Sequence, residues 1–178
     1  MQERTMRSDL RARQQRMAIL LLINLLIAAI APDLFPLFPG GLANAVLAFL
    51  VGAALLALVE RRYARYLWYG AIFVLYLVGQ IILSSLSVAR LVLQPKPKLD
   101  PGIVAVPLAI ASAVEITALA SAITLTPGTI SIDLDRNAHG QRVLYVHSLV
   151  VKSPDRLRAS IKGGFEQMIL HISQGAMR

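Results

Sequence analysis

The sequence contains no cysteine, which excludes disulfide bonds, thiolate nucleophiles, iron–sulfur clusters and cysteine-ligated zinc sites. Because that absence fits an oxidising and a reducing compartment equally, it says nothing about location. Charged side chains are also scarce, at 16% of the 178 residues, whereas 56% are hydrophobic and the mean hydropathy is +0.63. An ordinary soluble domain carries about 25% charged residues. The composition therefore excludes an ordinary soluble domain and indicates that part of the chain lies in a membrane.

The charge that is present is unevenly placed, with a net charge of +8 and a basic extension over residues 1–16. Five arginines precede the first apolar stretch: Arg4, Arg7, Arg11, Arg13 and Arg16. Such a cluster is typical of a cytoplasmic N-terminus and attracts anionic lipid. No aromatic interleaving or nucleic-acid-binding motif accompanies it, so no nucleic-acid partner is expected. A cleaved signal peptide is not expected either, since no small-residue cleavage site follows the apolar stretch.

Residues 17–93 form the membrane part, with three long apolar stretches at 17–31, 42–59 and 66–89. The first is short for a hydrocarbon core of about 30 Å, so we expect it to extend through residues 34–38. Arginines lie at both outer ends of the first two stretches and none lies between them. This pattern predicts a membrane hairpin with both ends in the cytoplasm. Asn24, inside the first stretch, is expected to form an interhelical hydrogen bond.

The third stretch carries polar side chains at helical spacing: Tyr69, Tyr76, Gln80, Ser84 and Ser87. They fall on one helical face, and a polar stripe on a membrane helix usually faces protein. We therefore expect a partner subunit to contact this stripe, the alternative being a helix that lies in the membrane interface. No Asp, Glu, Lys or His lies in the centre of any of the three stretches, whereas a proton or sodium carrier is expected to place one at mid-depth. The chain alone is therefore a poor candidate for moving ions.

A linker at residues 94–101, rich in proline and lysine, precedes a small domain at residues 102–178. The patterns there predict a two-layer β-α-β-β-α unit. The fold class is therefore α+β, with two to three transmembrane helices followed by this domain. Pro107 places the first strand at a sheet edge. Residues 142–151 carry apolar side chains on both faces, which predicts an inner strand.

Two local motifs define the middle of the domain. Ser112 and Glu115 have the spacing of a capping box for a helix over residues 113–124. A four-residue turn signal follows: Thr126, Pro127, Gly128 and Thr129. Proline followed by glycine predicts a type II turn. A phosphate-binding loop is not expected, because the Gly-Lys-Ser/Thr ending of such loops is missing.

Candidate chemistry in the domain is sparse. An Asp-x-Asp-x-Asn pattern begins at Asp133, but alanine stands where a calcium loop needs glycine and no closing glutamate follows. His147, next but one to Tyr145 on a predicted strand, has no evident companion ligands. We therefore expect no metal site, no cofactor and no catalytic residue.

Three segments resemble the E subunit of Mrp-type multi-subunit sodium/proton antiporters: 101–107 (PGIVAVP), 123–129 (ITLTPGT) and 144–147 (LYVH). Their order matches, as does the apolar N-terminal half, and the resemblance covers the chain from residue 17 onward. It implies a non-catalytic accessory or assembly subunit in the bacterial inner membrane, with antiport carried by larger partner subunits. It carries over no catalytic residue. The matches at 126–129 and 145–147 are interpreted as fold determinants.

The resemblance implies a cytoplasmic domain, and the arginines place residues 1–16 in the cytoplasm as well. Three full crossings would not allow both. Either the third stretch does not fully cross, or one of the first two is re-entrant. The alternative function is a stand-alone membrane-anchored enzyme or regulator that acts through His147, Glu115 or Asp133. A homo-oligomeric channel is a third reading.

Overall fold

The computed structural model describes residues 2–34, 41–97 and 99–175, which divide into two compact units. One unit runs up to Gly70 and includes the residues from Ile172 onward, and the other comprises Ala71–His171. The division falls inside a long helix, whereas composition alone suggested a linker at 94–101. Residues 35–38, into which we expected the first apolar stretch to extend, lie outside the described part of the chain.

The helices at the N-terminal end of the chain form most of the first unit: α1 (Gln2–Leu34), α2 (Gly41–Val59) and the beginning of α3 (Arg61–Val92). The basic extension is therefore helical and continuous with the first apolar stretch. Met17 and Tyr63 are buried, and Leu20, Ala53 and Leu56 pack against them. The start of α3 thus lies in the junction between α1 and α2.

In the described part of the chain, two helices are long and apolar enough to cross a membrane: Gly41–Val59 and Arg62–Val92. The apolar part of α1, Gln15–Ala31, is shorter. Few side chains of these helices are buried within the chain, and most of their large apolar side chains are exposed. Surface of this kind is stable only against lipid or another protein.

The second unit contains the rest of α3 and a small α+β domain. Its elements are β1 (Gly102–Pro107), α4 (Ala113–Leu125), β2 (Thr129–Arg136), β3 (Arg142–Ser148), α5 (Pro154–Ile161), a π-helical turn (Lys162–Glu166) and, up to His171, the first part of α6 (Gln167–Gly175). The strands form one antiparallel sheet in the order β1-β3-β2. The predicted α+β class and β-α-β-β-α order are confirmed, with β3 as the inner strand and β1 at an edge.

The core of the domain lies on one face of the sheet. Alternate side chains of β1 and β3, among them Val106 and Val146, meet Leu119 of α4 and Phe165 of the π-helical turn. All four are buried. The alternation of side chains along a strand leaves the opposite sheet face open, where Ile103 is 63% exposed.

Local interactions position α4 and the turn that follows it. The Ser112 N–H donates to Glu115 Oε2 over 3.0 Å, which ties the first turn of the helix to its N-cap residue. At the other end the Thr129 N–H donates to Thr126 O over 3.2 Å, and Gly128 has φ of 93°. A positive φ at the third position is the geometry of a type II turn, and glycine adopts it without strain.

Candidate functional site

The three residues suggested for an enzyme lie on three different elements: Glu115 on α4, Asp133 on β2 and His147 on β3. Glu115 accepts the hydrogen bond from its N-cap residue, and the Asp133 carboxylate accepts one from the Leu134 N–H over 2.7 Å. His147 lies on the open sheet face, in register with Ile103 and Ile130. Within the described ranges no group of three or more His, Asp or Glu side chains is placed to hold a metal ion.

Asp133 and Asp135 protect an edge of the sheet. Each carboxylate accepts a hydrogen bond from the next backbone N–H, at Leu134 and Arg136, with both distances 2.7 Å. The two N–H groups point in the same direction, because they belong to alternate residues of one strand. Since they bond to carboxylates rather than to β3, they lie on the outer edge of β2. An edge strand whose donors are already occupied is a poor template for an added strand. The acidic pattern that resembles a calcium loop therefore has a structural explanation.

The opposite edge is protected by cations. Arg158 Nε donates to Ala105 O, and Lys162 Nζ donates to Pro107 O, each over 2.8 Å. The two acceptors are the outward carbonyls of β1, so a helix lying beside the edge strand satisfies them. Sequence reasoning missed this role. The signal was a pair of cations four residues apart on the helix that follows the sheet.

A buried carboxylate, Glu166, also has a role that sequence reasoning missed. Its side chain is only 2% exposed, and its Oε1 accepts from the Ala109 and Ile110 N–H groups over 2.5 and 3.3 Å. Lys162 Nζ lies 3.7 Å from Oε2. Lys162 therefore connects the edge of β1 to Glu166, and Glu166 fixes the loop between β1 and α4. Removing one member of such a network leaves buried polar groups unpaired, at about 1–3 kcal/mol each.

The polar stripe of α3 meets the domain of its own chain at Tyr76. The Tyr76 ring packs edge-on against Phe165 with a centroid distance of 5.3 Å, and Phe73 packs on the same ring at 6.4 Å. Gly164 lies directly beneath the Tyr76 hydroxyl, and a methyl group there would collide with it. Two consecutive glycines, Gly163 and Gly164, are unfavourable inside an ordinary helix. Here they lie in the π-helical turn, where Gly164 allows close packing.

Two further stripe residues are satisfied within α3. Ser84 Oγ donates to Gln80 O over 2.6 Å, and Ser87 Oγ donates to Leu83 O over 2.9 Å. Tyr69 and Gln80 are half-buried. Contact between this stripe and a partner subunit stays a prediction, and its Tyr76 member has an intramolecular contact.

The α1–α2 hairpin contains a buried polar junction. Asn24 is fully buried, and its amide lies so close to Gly52 of α2 that a methyl group there would meet Asn24 Oδ1. The Tyr63 hydroxyl lies beside Asn24. Within the described residues, the amide and the hydroxyl are close together but outside strict hydrogen-bond geometry. Asn24 contacts α2 by close packing against Gly52, and its interhelical hydrogen bond stays a prediction.

Comparison with known proteins gives one consistent result. The family model MNHE, described as Na+/H+ ion antiporter subunit, matches residues 17–172. The E subunit of the Na+/H+ antiporter of Alkalihalophilus pseudofirmus is 30% identical over 163 residues, which cover 89% of this chain and 100% of that protein.

Two solved membrane complexes contain similar chains. One is the archaeal membrane-bound sulfane sulfur reductase, a respiratory complex, with 26% identity, coverage of 88% of this chain and 98% of that chain, and a TM-score of 0.51. The other is the Mrp complex from Dietzia sp. DQ12-45-1b, with 33% identity, coverage of 55% and 90%, and a TM-score of 0.44.

Proposed function

Because the chain belongs to the family of Na+/H+ ion antiporter subunits, we propose that it is a non-catalytic accessory subunit of a multi-subunit cation/proton antiporter. The observation that carries the proposal is that the family match spans both the apolar helices and the small domain. A match confined to the helices would fit many membrane anchors. The domain contributes packing and protected sheet edges, which suit an assembly role.

The distribution of titratable groups supports a non-catalytic role. The stretches 17–31, 42–59 and 66–89 contain no Asp, Glu, Lys, Arg or His. Moving a cation or proton through the hydrocarbon region requires such groups, or a polar cavity, at depth. In the domain, the carboxylates of Glu115, Asp133 and Glu166 each accept hydrogen bonds from backbone N–H groups. These carboxylates serve structure, and ion movement falls to partner subunits.

The chain is a membrane protein, and we place its N-terminus and its small domain on the cytoplasmic side. The five N-terminal arginines favour that side for residues 1–16 and attract anionic lipid there. A hairpin of α1 and α2 returns the chain to the same side. The partners are the other membrane subunits of the complex.

Affinity purification of the tagged chain from native membranes in mild detergent tests the proposal. We expect larger polytopic membrane proteins to co-purify in fixed proportion, and cation-driven proton movement in membrane vesicles to fall when the chain is deleted. A chain that purifies alone, stable and monodisperse, from cells with undiminished antiport would contradict the proposal.

Two substitutions distinguish the enzyme alternative. His147→Gln and Glu115→Gln leave the domain close to its original shape while removing the suggested acid–base groups. An enzyme or regulator acting through them would assemble normally and lose its activity. An accessory subunit would keep its activity in proportion to the amount of complex assembled.

A further inference from the structure

The helix α3 is long enough to cross a membrane, but one face of its second half contacts the domain of the same chain. Phe73, Tyr76 and Leu77 pack on the domain core, and Phe73 and Tyr76 contact the Phe165 ring. Near the other end of α3, a Val88 methyl lies 3.4 Å from the position of a Cβ at Gly128. Val88 lies fifteen positions after Phe73, so these two contacts are about 22 Å apart along the helix at 1.5 Å per residue.

The uncovered remainder of α3 is too short to span lipid. Between Arg65 and Phe73 lie seven residues, or about 10 Å of helix, against a hydrocarbon core of about 30 Å. The covering domain cannot enter that core either. It is a three-stranded sheet whose edges carry the charged side chains Asp133, Arg158 and Lys162, and charged side chains are costly in lipid. Lys162 and Glu166, which pair with each other, are the first and last residues of the π-helical turn that Tyr76 contacts.

The face of α3 opposite the domain is nevertheless apolar and exposed. At 100° per residue, Leu75, Ile82 and Leu86 lie on one line, about 160° from Phe73. Their exposed fractions are 72%, 55% and 51%. Trp68 shares the line and is 66% exposed. A helix with one face on protein and an exposed apolar face on the other side needs lipid or another protein to cover that second face.

The charges around this face are of one sign. Residues 61–99 contain six cations and no Asp or Glu: Arg61, Arg62, Arg65, Arg90, Lys96 and Lys98. Cations at both ends of an apolar face complement the anionic headgroups of a cytoplasmic leaflet. A protein groove would need matching carboxylates instead. The charge therefore favours a lipid surface as the occupant.

We propose that the second half of α3, residues 71–92, lies in the plane of the membrane with its Leu75–Ile82–Leu86 face on lipid and the α+β domain mounted on its other face. The chain then crosses the membrane only through the α1–α2 hairpin. This arrangement places residues 1–16 and the domain on the same side and removes the conflict that three crossings create. The inference rests on the proposed function, in which the chain is a membrane subunit. It concerns the depth of α3 in the membrane, whereas the proposed function concerns cation/proton antiport.

The absence of cysteine makes the depth of α3 directly measurable. Leu75→Cys, Ile82→Cys and Leu86→Cys are introduced singly, labelled with a nitroxide, and the complex carrying each variant is placed in lipid nanodiscs. Accessibility to oxygen and to a water-soluble nickel chelate gives the depth of each label. The complex with the unsubstituted chain gives the background from cysteines in other subunits.

An in-plane helix puts all three labels at one shallow depth, and this is the expected result. A crossing helix would separate positions 75 and 82 by about 10 Å in depth and positions 82 and 86 by about 6 Å. Leu50→Cys and Leu55→Cys on α2, both exposed to more than half, are the matched controls and should differ by about 7 Å.

Two results overturn the inference. A depth that increases steadily along α3, as along α2, would show that α3 crosses. Low oxygen access at all three α3 positions would show that protein, rather than lipid, covers the face. Neither outcome depends on whether the complex transports cations. The position of α3 and the proposed function are therefore tested independently.

Discussion

The contact between Gly164 and Tyr76 predicts that Gly164→Ala destabilises the protein, although alanine is the better helix former. Alanine in a helix is favoured over glycine by about 1 kcal/mol. At Gly164, however, the new methyl group would overlap the Tyr76 hydroxyl and lie 3.2 Å from Cζ. Overpacking of this kind costs about 1–3 kcal/mol. Because the methyl group would overlap the hydroxyl oxygen, the cost falls in the upper part of that range, at about 2–3 kcal/mol, and a net loss of about 1–2 kcal/mol follows.

The assay is the melting temperature of the detergent-purified protein, followed by size-exclusion chromatography after heating. For a chain of this size 1 kcal/mol corresponds to about 2–4 °C, so Gly164→Ala should melt about 2–8 °C lower. Gly163→Ala is the matched control, because Gly163 is exposed and its added methyl would have no neighbour within 4 Å. That variant should be neutral or slightly stabilised.

Tyr76→Phe provides the second control. Removing the hydroxyl leaves ring carbons as the nearest neighbours of the new methyl group, at 3.2 and 3.5 Å. Gly164→Ala should therefore cost at least about 1 kcal/mol less in the Tyr76→Phe background than in the original chain. If Gly164→Ala behaves like Gly163→Ala in both backgrounds, α3 does not pack on the domain and the reasoning is refuted.

Two further predictions concern the buried polar sites, with the same melting assay. Glu166→Ala should cost roughly 3 kcal/mol, because two N–H groups and Lys162 lose their partner. Glu166→Gln should cost about half as much, since its carbonyl can still accept; a Glu166→Ala variant as stable as the original chain would contradict this account. Gly52→Ala should loosen the hairpin by about 1–3 kcal/mol through the Asn24 collision. Gly79→Ala should not destabilise the protein, because a methyl group there has no neighbour within 4 Å. Equal effects of the two substitutions would argue against the close contact between Asn24 and Gly52.

Much of the domain could be predicted from the sequence because its signals are local. A proline in β1 indicates an edge strand, and apolar residues on both faces of β3 indicate an inner strand. The spacing of Ser112 and Glu115 marks a helix start. Each of these depends on residues within a few positions of one another, and the sheet order β1-β3-β2 agrees with them.

The surroundings of α3 could not be predicted in the same way. Periodicity shows that a helix has a polar stripe and an apolar face, but it does not show what covers each. At Tyr76 the cover is Phe165, which is distant in sequence. A stripe expected to face a partner subunit therefore meets the chain's own domain at that residue.

Glu166 illustrates the same limit. In the sequence it is one carboxylate four residues after Lys162, a spacing typical of exposed helix pairs. Its burial depends on the loop at Ala109 and Ile110, more than fifty positions away. The cations Arg158 and Lys162 likewise gain their role from carbonyls of β1. Such contacts arise from the tertiary fold and leave no local pattern.

Ion transport by the purified components tests the central claim most directly. The chain alone and the complex that co-purifies with it are reconstituted into separate proteoliposomes containing a pH-sensitive dye, and sodium is added outside. We expect cation-driven proton movement only with the complex, because the apolar stretches of the chain contain no Asp, Glu, Lys, Arg or His. Sodium-driven proton movement by the chain alone would contradict its role as an accessory subunit.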